Sequence, residues 1–400
     1  MTVNLHKLII GLILLIYVIG YKYQIKSLNN LYLSELVALI FVLTFAAHIK
    51  IDANLKKFLI SYFLILSGFF LSDLVNNSNL QDYARGWSSI AVATINLIFL
   101  YYIYSKDVRY IFLYFIGLIL RLFFLDYDNF NFIELINNKN LFKVYFLEAF
   151  FSFILIILYG VEKWHSRYLN IFLLLLIVLS IFFLNARGAG LILLLTYLTL
   201  NYIFKEKFGK FLVIKLSVFI FLLYVLYVLY VNFIIYFQME GSTLSALRFM
   251  DNYNNPLDFL MVSRSDFFVA LSAISEKPIF GWGSWANDPS GFYLELFQQL
   301  RGDQEYDGSF IPAHSVILTS WLWGGLLSLF GALYFIINMV KIVKPIKYYD
   351  NGYRVISTAL CIGLFFDFFF SPFGVLRVSF PSIIALILVL DKRFKNSLND

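Results

Sequence analysis

Charge is what this chain has least of. Asp, Glu, Lys and Arg make up 14% of its 400 residues, against about 25% in a typical globular domain. With 61% hydrophobic residues, a soluble chain would have more apolar area than its core can bury. Disordered chains are poor in such residues, so both classes are excluded. Cysteine is almost absent. Cys361 is the single one and lies in an apolar run, so it forms no internal disulfide and reads as a small buried residue. Neither a Walker-type glycine loop nor a G-x-S-x-G elbow occurs, and ATP use by the chain itself is not expected. Metal-ligand spacing is missing too. His314 has no histidine at i+3 or i+4, and Asp303, Glu305 and Asp307 form D-x-E-x-D without the rest of a calcium loop. No metal and no cofactor is expected.

What is abundant is apolar sequence, enough for about twelve spanning helices of ~20 residues each. Runs fall near 7–23, 31–48, 58–75, 87–104, 108–125, 144–161, 168–185, 187–204, 211–237, 313–340, 354–371 and 375–390. The expected fold is all-α: a polytopic helical membrane protein of about twelve transmembrane helices. The first run resembles a signal sequence but lacks an A-x-A-like cleavage site, so it reads as the first span. Twelve spans put both termini on one side. With that side cytoplasmic, the inner segments hold 19 of the 31 Lys and Arg residues and seven acids, as the positive-inside rule requires. The net charge of +6 is then mostly topology, and no nucleic-acid partner is expected.

One soluble segment stands apart. The division is 1–237 for nine spans, 238–312 for a large outer loop, and 313–400 for three more spans and a short cytoplasmic tail. The loop carries ten acids, four bases and four of the seven prolines. Connections of this length are usually functional or disordered, and this one is not low-complexity. Ser263-Arg264-Ser265-Asp266 has the pattern of a capping box. Phe267, Phe268, Leu271 and Ile274 then form an apolar face, and Lys277-Pro278 ends the helix. Gly281-Trp282-Gly283-Ser284 reads as a turn, and 291–301 as a second amphipathic helix. These helices are expected to roof a cavity among the spans.

Ionisable residues in or beside spans are costly and demand a reason. Here they are Glu35, Arg85, Arg121, Glu148, Arg187, Asp367 and Arg377. Snorkelling to a helix end is the expected reason for Glu35, Arg121, Glu148 and Arg377. Arg187 is different, because it sits at the outer tip of the tightest hairpin and precedes Gly188-Ala189-Gly190, small residues that allow close helix approach. Of the four histidines, only His314 faces outward in this topology, where the loop enters span ten. A neutral imidazole there can accept a hydroxyl proton near neutral pH.

These pieces resemble a known family. Arg187-Gly188-Ala189-Gly190 opening a span resembles the outer arginine motif of the O-antigen polymerase (Wzy) and O-antigen ligase superfamily. The stretch from Arg264 through Pro278-Ile279-Phe280-Gly281-Trp282-Gly283 is similar to its loop motif. Ala313-His314-Ser315 followed by Trp323-Gly324-Gly325-Leu326-Leu327 is similar to its following span. The motifs cover residues 187–327.

The resemblance implies a metal-independent, GT-C-like glycosyltransferase of the bacterial inner membrane, with both termini cytoplasmic and its site facing the periplasm. Its donor would be an oligosaccharide on undecaprenyl pyrophosphate. Arg187 and Arg264 would clamp the pyrophosphate, and His314 would orient or deprotonate the acceptor hydroxyl. Trp282, Trp285, Tyr293, Glu295 and Asp303 are the candidates for holding sugar. The first expectation is a polymerase of lipid-linked repeats in surface-polysaccharide synthesis. The alternatives are a ligase moving polymer to lipid A–core, and a lipid-linked glycan flippase. Membrane lipids are expected partners, as are a chain-length regulator and a flippase of the same pathway.

Overall fold

The apolar runs fold as helices. The computed structural model describes residues 5–25, 31–123, 146–165, 168–180, 187–204, 264–301, 309–350 and 352–398, with isolated positions between 224 and 236. The chain opens with α1 (Leu5–Gly20), a short antiparallel pair β1 (Gln24–Ile25) and β2 (Leu31–Tyr32), and α2 (Leu33–Phe45). Next come α3 (Ala53–Asn76), α4 (Leu80–Lys106), α5 (Tyr110–Phe123), α6 (Leu147–His165) and α7 (Leu169–Val178). Helix α8 (Arg187–Leu198) runs on through a π turn, Thr199–Ile203. The loop segment supplies α9 (Ser265–Glu276) and α10 (Phe292–Arg301), and the chain closes with α11 (Val316–Val343), α12 (Tyr353–Phe370) and α13 (Val375–Ser397).

The all-α expectation holds, but the span count does not follow from the helices themselves. Four of those described are long and apolar enough to cross a membrane: Ala53–Asn76, Leu80–Lys106, Val316–Tyr348 and Tyr353–Phe370. Five further apolar helices have 10–17 residues. At 1.5 Å per residue these reach roughly 15–25 Å, short of ~30 Å of hydrocarbon. The expected ninth span, 211–237, lies almost wholly outside the described residues.

Two long helix pairs form the centre. Helix α3 lies along α11, and the contact is made by small residues. Ser328 on α11 donates its hydroxyl to the Ile65 carbonyl on α3 at 2.8 Å. A Cβ added to Gly331 would sit 2.8 Å from Ile65 N, and one on Gly68 2.7 Å from the Gly324 carbonyl oxygen. Backbones this close gain dispersion and polar contact that larger side chains would forbid. Helix α4 lies along α13, where Asn96 donates to the Arg377 carbonyl at 3.0 Å and Tyr104 meets Ser382 at 2.8 Å.

The sparse charges are paired across helices. Glu35 on α2 forms a two-pronged ion pair with Arg377 on α13, and Arg121 on α5 pairs with Glu148 on α6. Glu35 is 3% exposed and Arg121 4%. Snorkelling, expected for these four, is therefore corrected. A buried charge is tolerable when its partner is held against it, and here each partner comes from another helix. Glu162 on α6 makes a third such site. It accepts from Arg354 Nε at 2.9 Å and from the Gly352 and Val355 amides at 3.1 and 3.0 Å.

The α3–α11 contact gives a direct test. Gly331→Ala is expected to force the two helices apart and cost about 1–3 kcal/mol. A clear fall in thermal midpoint in detergent is the expected reading; an unchanged midpoint would show that the contact is looser than described.

Candidate functional site

The site begins with a helix that breaks. Within α11, Gly325 has φ +62° and ψ −157°, so the helical ladder stops there and resumes. The backbone groups this frees are taken up by the loop segment. Trp282 N–H donates to the Leu322 carbonyl at 2.7 Å and Gly283 N–H to the Trp323 carbonyl at 3.1 Å. In return Leu326 N–H donates to the Ile279 carbonyl at 2.9 Å. The two glycine motifs are the halves of this joint. A Cβ on Gly325 would lie 2.0 Å from the Ile279 carbonyl oxygen, and one on Gly281 would lie 2.7 Å from Gly325 N.

The same turn is bolted to the end of α3. The Asp73 carboxylate, 4% exposed, accepts from Ser284 N at 2.6 Å, Ser284 Oγ at 2.7 Å and Trp87 Nε1 at 2.8 Å. Asn76 donates to the Gly281 carbonyl at 3.1 Å and accepts from Lys277 Nζ at 2.9 Å. On α4, Asp82 accepts from Asn287 at 3.1 Å. Sequence reading missed all three side chains. The signal available was Ser72, Asp73 and Asn76 at i, i+1 and i+4, one polar face on an otherwise apolar helix.

Helix α9 stands where expected but turns differently. Its buried face is Val269, Ala270, Ala273 and Ile274; of the expected apolar face Ile274 is buried and Phe267 half-buried, while Phe268 and Leu271 are exposed. Small residues face in because α9 packs closely on α11 and α10. The capping box is also corrected. The helix starts at Ser265, and Asp266 turns its carboxylate to the stretch leading into α11, accepting from His314 N–H at 3.2 Å. His314 Nδ1 is 3.8 Å from the same oxygen, with the side chain 51% exposed. Ser315 caps α11, accepting from Leu318 N–H at 3.4 Å.

Arg264 lies on the other side of this group. Its Nη1 donates to the Phe370 carbonyl at the end of α12 at 3.2 Å, and the guanidinium rests 5.2 Å from the Phe370 ring centre. Among the described residues no carboxylate is within ion-pair distance of it. Arg264, Asp266 and His314 line one cavity of about 110 Å³ walled by phenylalanines at 267, 268, 369 and 370. Two of the three expected catalytic residues are thus brought together from positions far apart in sequence.

Arg187 is the first residue of α8, and its side chain lies outside the described residues. Its backbone is nearby. A Cβ on Gly188 would lie 3.6 Å from the Phe366 ring on α12, and that ring contacts Phe370 at 5.2 Å between centres.

The residues expected to hold sugar lie in several settings. Tyr293 is 1% exposed and packs edge-on against Trp282. Burial, reinforced by the nearby Glu276, pushes its hydroxyl well above the usual tyrosine range. Trp282 donates Nε1 to the Ala273 carbonyl at 2.7 Å and carries Lys277 Nζ 4.2 Å from its ring centre. Trp285 stacks on Trp323 at 5.5 Å, with Arg85 over its other neighbourhood at 5.8 Å. These three rings pack among α9, α10 and α11. Glu295 is exposed in the first turn of α10, and Asp303 lies outside the described residues. Asp367 accepts from Ser371 Oγ at 2.7 Å and, with Glu148, lines a separate cavity of about 190 Å³. Among the described residues no three of His, Cys, Asp and Glu converge as metal ligands would.

Set beside known proteins, the chain matches no family model and no curated protein. The arrangement of the site therefore stands on its own geometry.

The joint is testable by its two ends. Asp73→Ala leaves Ser284 and Trp87 donors buried without an acceptor, at about 1–3 kcal/mol, and Gly325→Ala puts a methyl into a carbonyl oxygen. Both variants are expected to speed proteolytic cleavage within 238–312 relative to cleavage elsewhere. Equal protection of this segment in wild type and variants would overturn the anchoring role.

Proposed function

We propose that the protein is a metal-independent integral-membrane glycosyltransferase that polymerises lipid-linked oligosaccharide repeats. The glycan passes from undecaprenyl pyrophosphate to a sugar hydroxyl of an incoming repeat, in O-antigen or related surface-polysaccharide synthesis. The observation that carries the reading is the meeting of Arg264, Asp266 and His314 at one phenylalanine-walled cavity beside the start of α8. The reading keeps twelve crossings, cytoplasmic termini and a periplasm-facing site in the inner membrane; the basic residues crowded into alternate connections support it. A pathway flippase and chain-length regulator are its expected partners.

The chemistry follows from the groups present. The acceptor oxygen attacks the anomeric carbon, the bond from that carbon to the pyrophosphate oxygen breaks, and undecaprenyl pyrophosphate leaves with the electron pair. Arg264, with Arg187 from the start of α8, meets the charge that grows on the leaving oxygens. A charge-assisted hydrogen bond contributes roughly 1.5–3 kcal/mol, and more where it tightens as charge develops. Asp266 beside Nδ1 favours the tautomer with the proton on that nitrogen, which leaves Nε2 to accept the hydroxyl proton. The phenylalanine walls suit a prenyl-linked substrate, because they set apolar surface for its lipid tail beside the arginine.

Deleting the gene and resolving surface glycan on a gel tests the reading. Loss of a polymerase leaves a single repeat on lipid core. Polymer retained on undecaprenyl pyrophosphate would instead indicate a ligase, and repeats trapped in the inner leaflet a flippase; either overturns the proposal. Arg187→Ala, Arg264→Ala and His314→Ala are each expected to abolish chain extension while the protein still inserts, with His314→Ala lowering the rate about 10²–10⁴-fold. Normal ladders from these variants would sink the site assignment. Asp266→Asn is expected to lower the rate less than His314→Ala, since it orients the imidazole rather than taking the proton.

A further inference from the structure

The last turn of α12 reaches two cavities. Phe369 and Phe370 wall the one shared by Arg264 and His314. Asp367, at the start of the same turn, lines the other, of about 190 Å³. Helices α5, α6, α8, α12 and α13 all contribute to this second cavity. Most of its wall is apolar. The polar groups that converge on it include Tyr114, Glu148, Asp367, Ser379 and Ser382. An apolar pocket with a few convergent polar groups is the usual form of a small-molecule site.

The two carboxylates are not alike. Arg121 answers Glu148. Among the described residues, the half-buried Asp367 side chain has Ser371 Oγ at 2.7 Å as its donor and no base within ion-pair distance. A carboxylate so placed in an apolar bundle is costly unless something donates to it, and it marks a functional site by default. The volume limits what that donor can be. An apolar cavity of ~150 Å³ takes a benzene-sized ring, whereas drug-sized ligands fill ~300–1,000 Å³. The space therefore suits one six-membered ring. A bare cation would leave most of it unfilled. A sugar ring meets both conditions. Its hydroxyls donate to carboxylates and exchange hydrogen bonds with serine and tyrosine, and its C–H face packs on apolar wall.

We propose that this cavity is a glycan subsite that seats one sugar ring of the lipid-linked repeat, with Asp367 accepting from its hydroxyls. The identity of the ligand rests on the transferase reading. Asp367 is one helical turn from Phe370, whose carbonyl accepts from Arg264, so sugar and pyrophosphate can be bound side by side.

The test uses the full chain in nanodiscs and the oligosaccharide repeat freed of its lipid by mild acid. Thermal midpoint against repeat concentration gives an apparent affinity. Wild type is expected to show a saturable rise. Asp367→Asn keeps the shape and the Ser371 bond, and is expected to weaken the affinity about 10–100-fold, as loss of a hydrogen bond to a charged group does. Gly363→Ala is expected to weaken it as well. A Cβ there would meet Ile192 Cδ1 at 3.7 Å, an ordinary contact, so the methyl takes up cavity volume without threatening the fold. Arg264→Ala should keep the rise, because the freed repeat carries no pyrophosphate. Stabilisation by sugar excluded from the protein surface would persist in every variant. No rise in wild type, or a rise that either Asp367→Asn or Gly363→Ala keeps in full, overturns the subsite. Chain extension assayed on the same preparations separates the two readings. Repeat bound through Asp367 with no polymer formed would overturn the polymerase and uphold the subsite; polymer formed with no rise would do the reverse.

Discussion

A helix broken inside an apolar bundle leaves backbone groups with nothing to bond, and each such group costs several kcal/mol away from water. Everything at the loop end depends on how this chain resolves that problem at Gly324 and Gly325. The carbonyls of Leu322 and Trp323 and the amide of Leu326 are satisfied by residues 279–283. The loop is thereby made part of the bundle rather than a cover lying on it. Glycine is required on both sides, because the two backbones approach within distances that exclude a Cβ.

Fixing that turn fixes the site. Residues 279–283 follow α9 directly, so α9 is held against the start of α11 and Asp266 reaches the backbone of His314. Arg264, at the same N-terminal end of α9 as Asp266, falls against the end of α12. Asp73 secures the turn through two hydrogen bonds from Ser284 and accepts a third from Trp87 on α4. The loop aromatics Trp282, Trp285 and Tyr293 pack against the same joint.

The sequence motifs around 278–284 and 323–327 could be read as turns and small-residue runs, and α9 and α10 were placed within a residue or two. Their meaning as two halves of one joint could not be read, because the pairing joins segments about 40 residues apart through backbone atoms that carry no residue identity. Asp73, Ser72 and Asn76 were passed over because they sit at the end of an apolar run, where polar residues are ordinary. The buried face of α9 does not follow its largest apolar residues. Large apolar residues usually mark a buried face, yet here close helix packing selects the alanines.

Composition and periodicity by themselves determined that the chain is a helical protein with too little charge for water, where most helices begin and end, and which charges needed explaining. Those properties are local: a helix is specified by residues three and four apart. Only the tertiary structure decided that Glu35 answers Arg377, that Asp73 answers Ser284, and that Arg264 and His314 share a cavity. Each of those partnerships spans from 50 to more than 300 positions, and at such separations only packing, not sequence spacing, chooses which charge meets which.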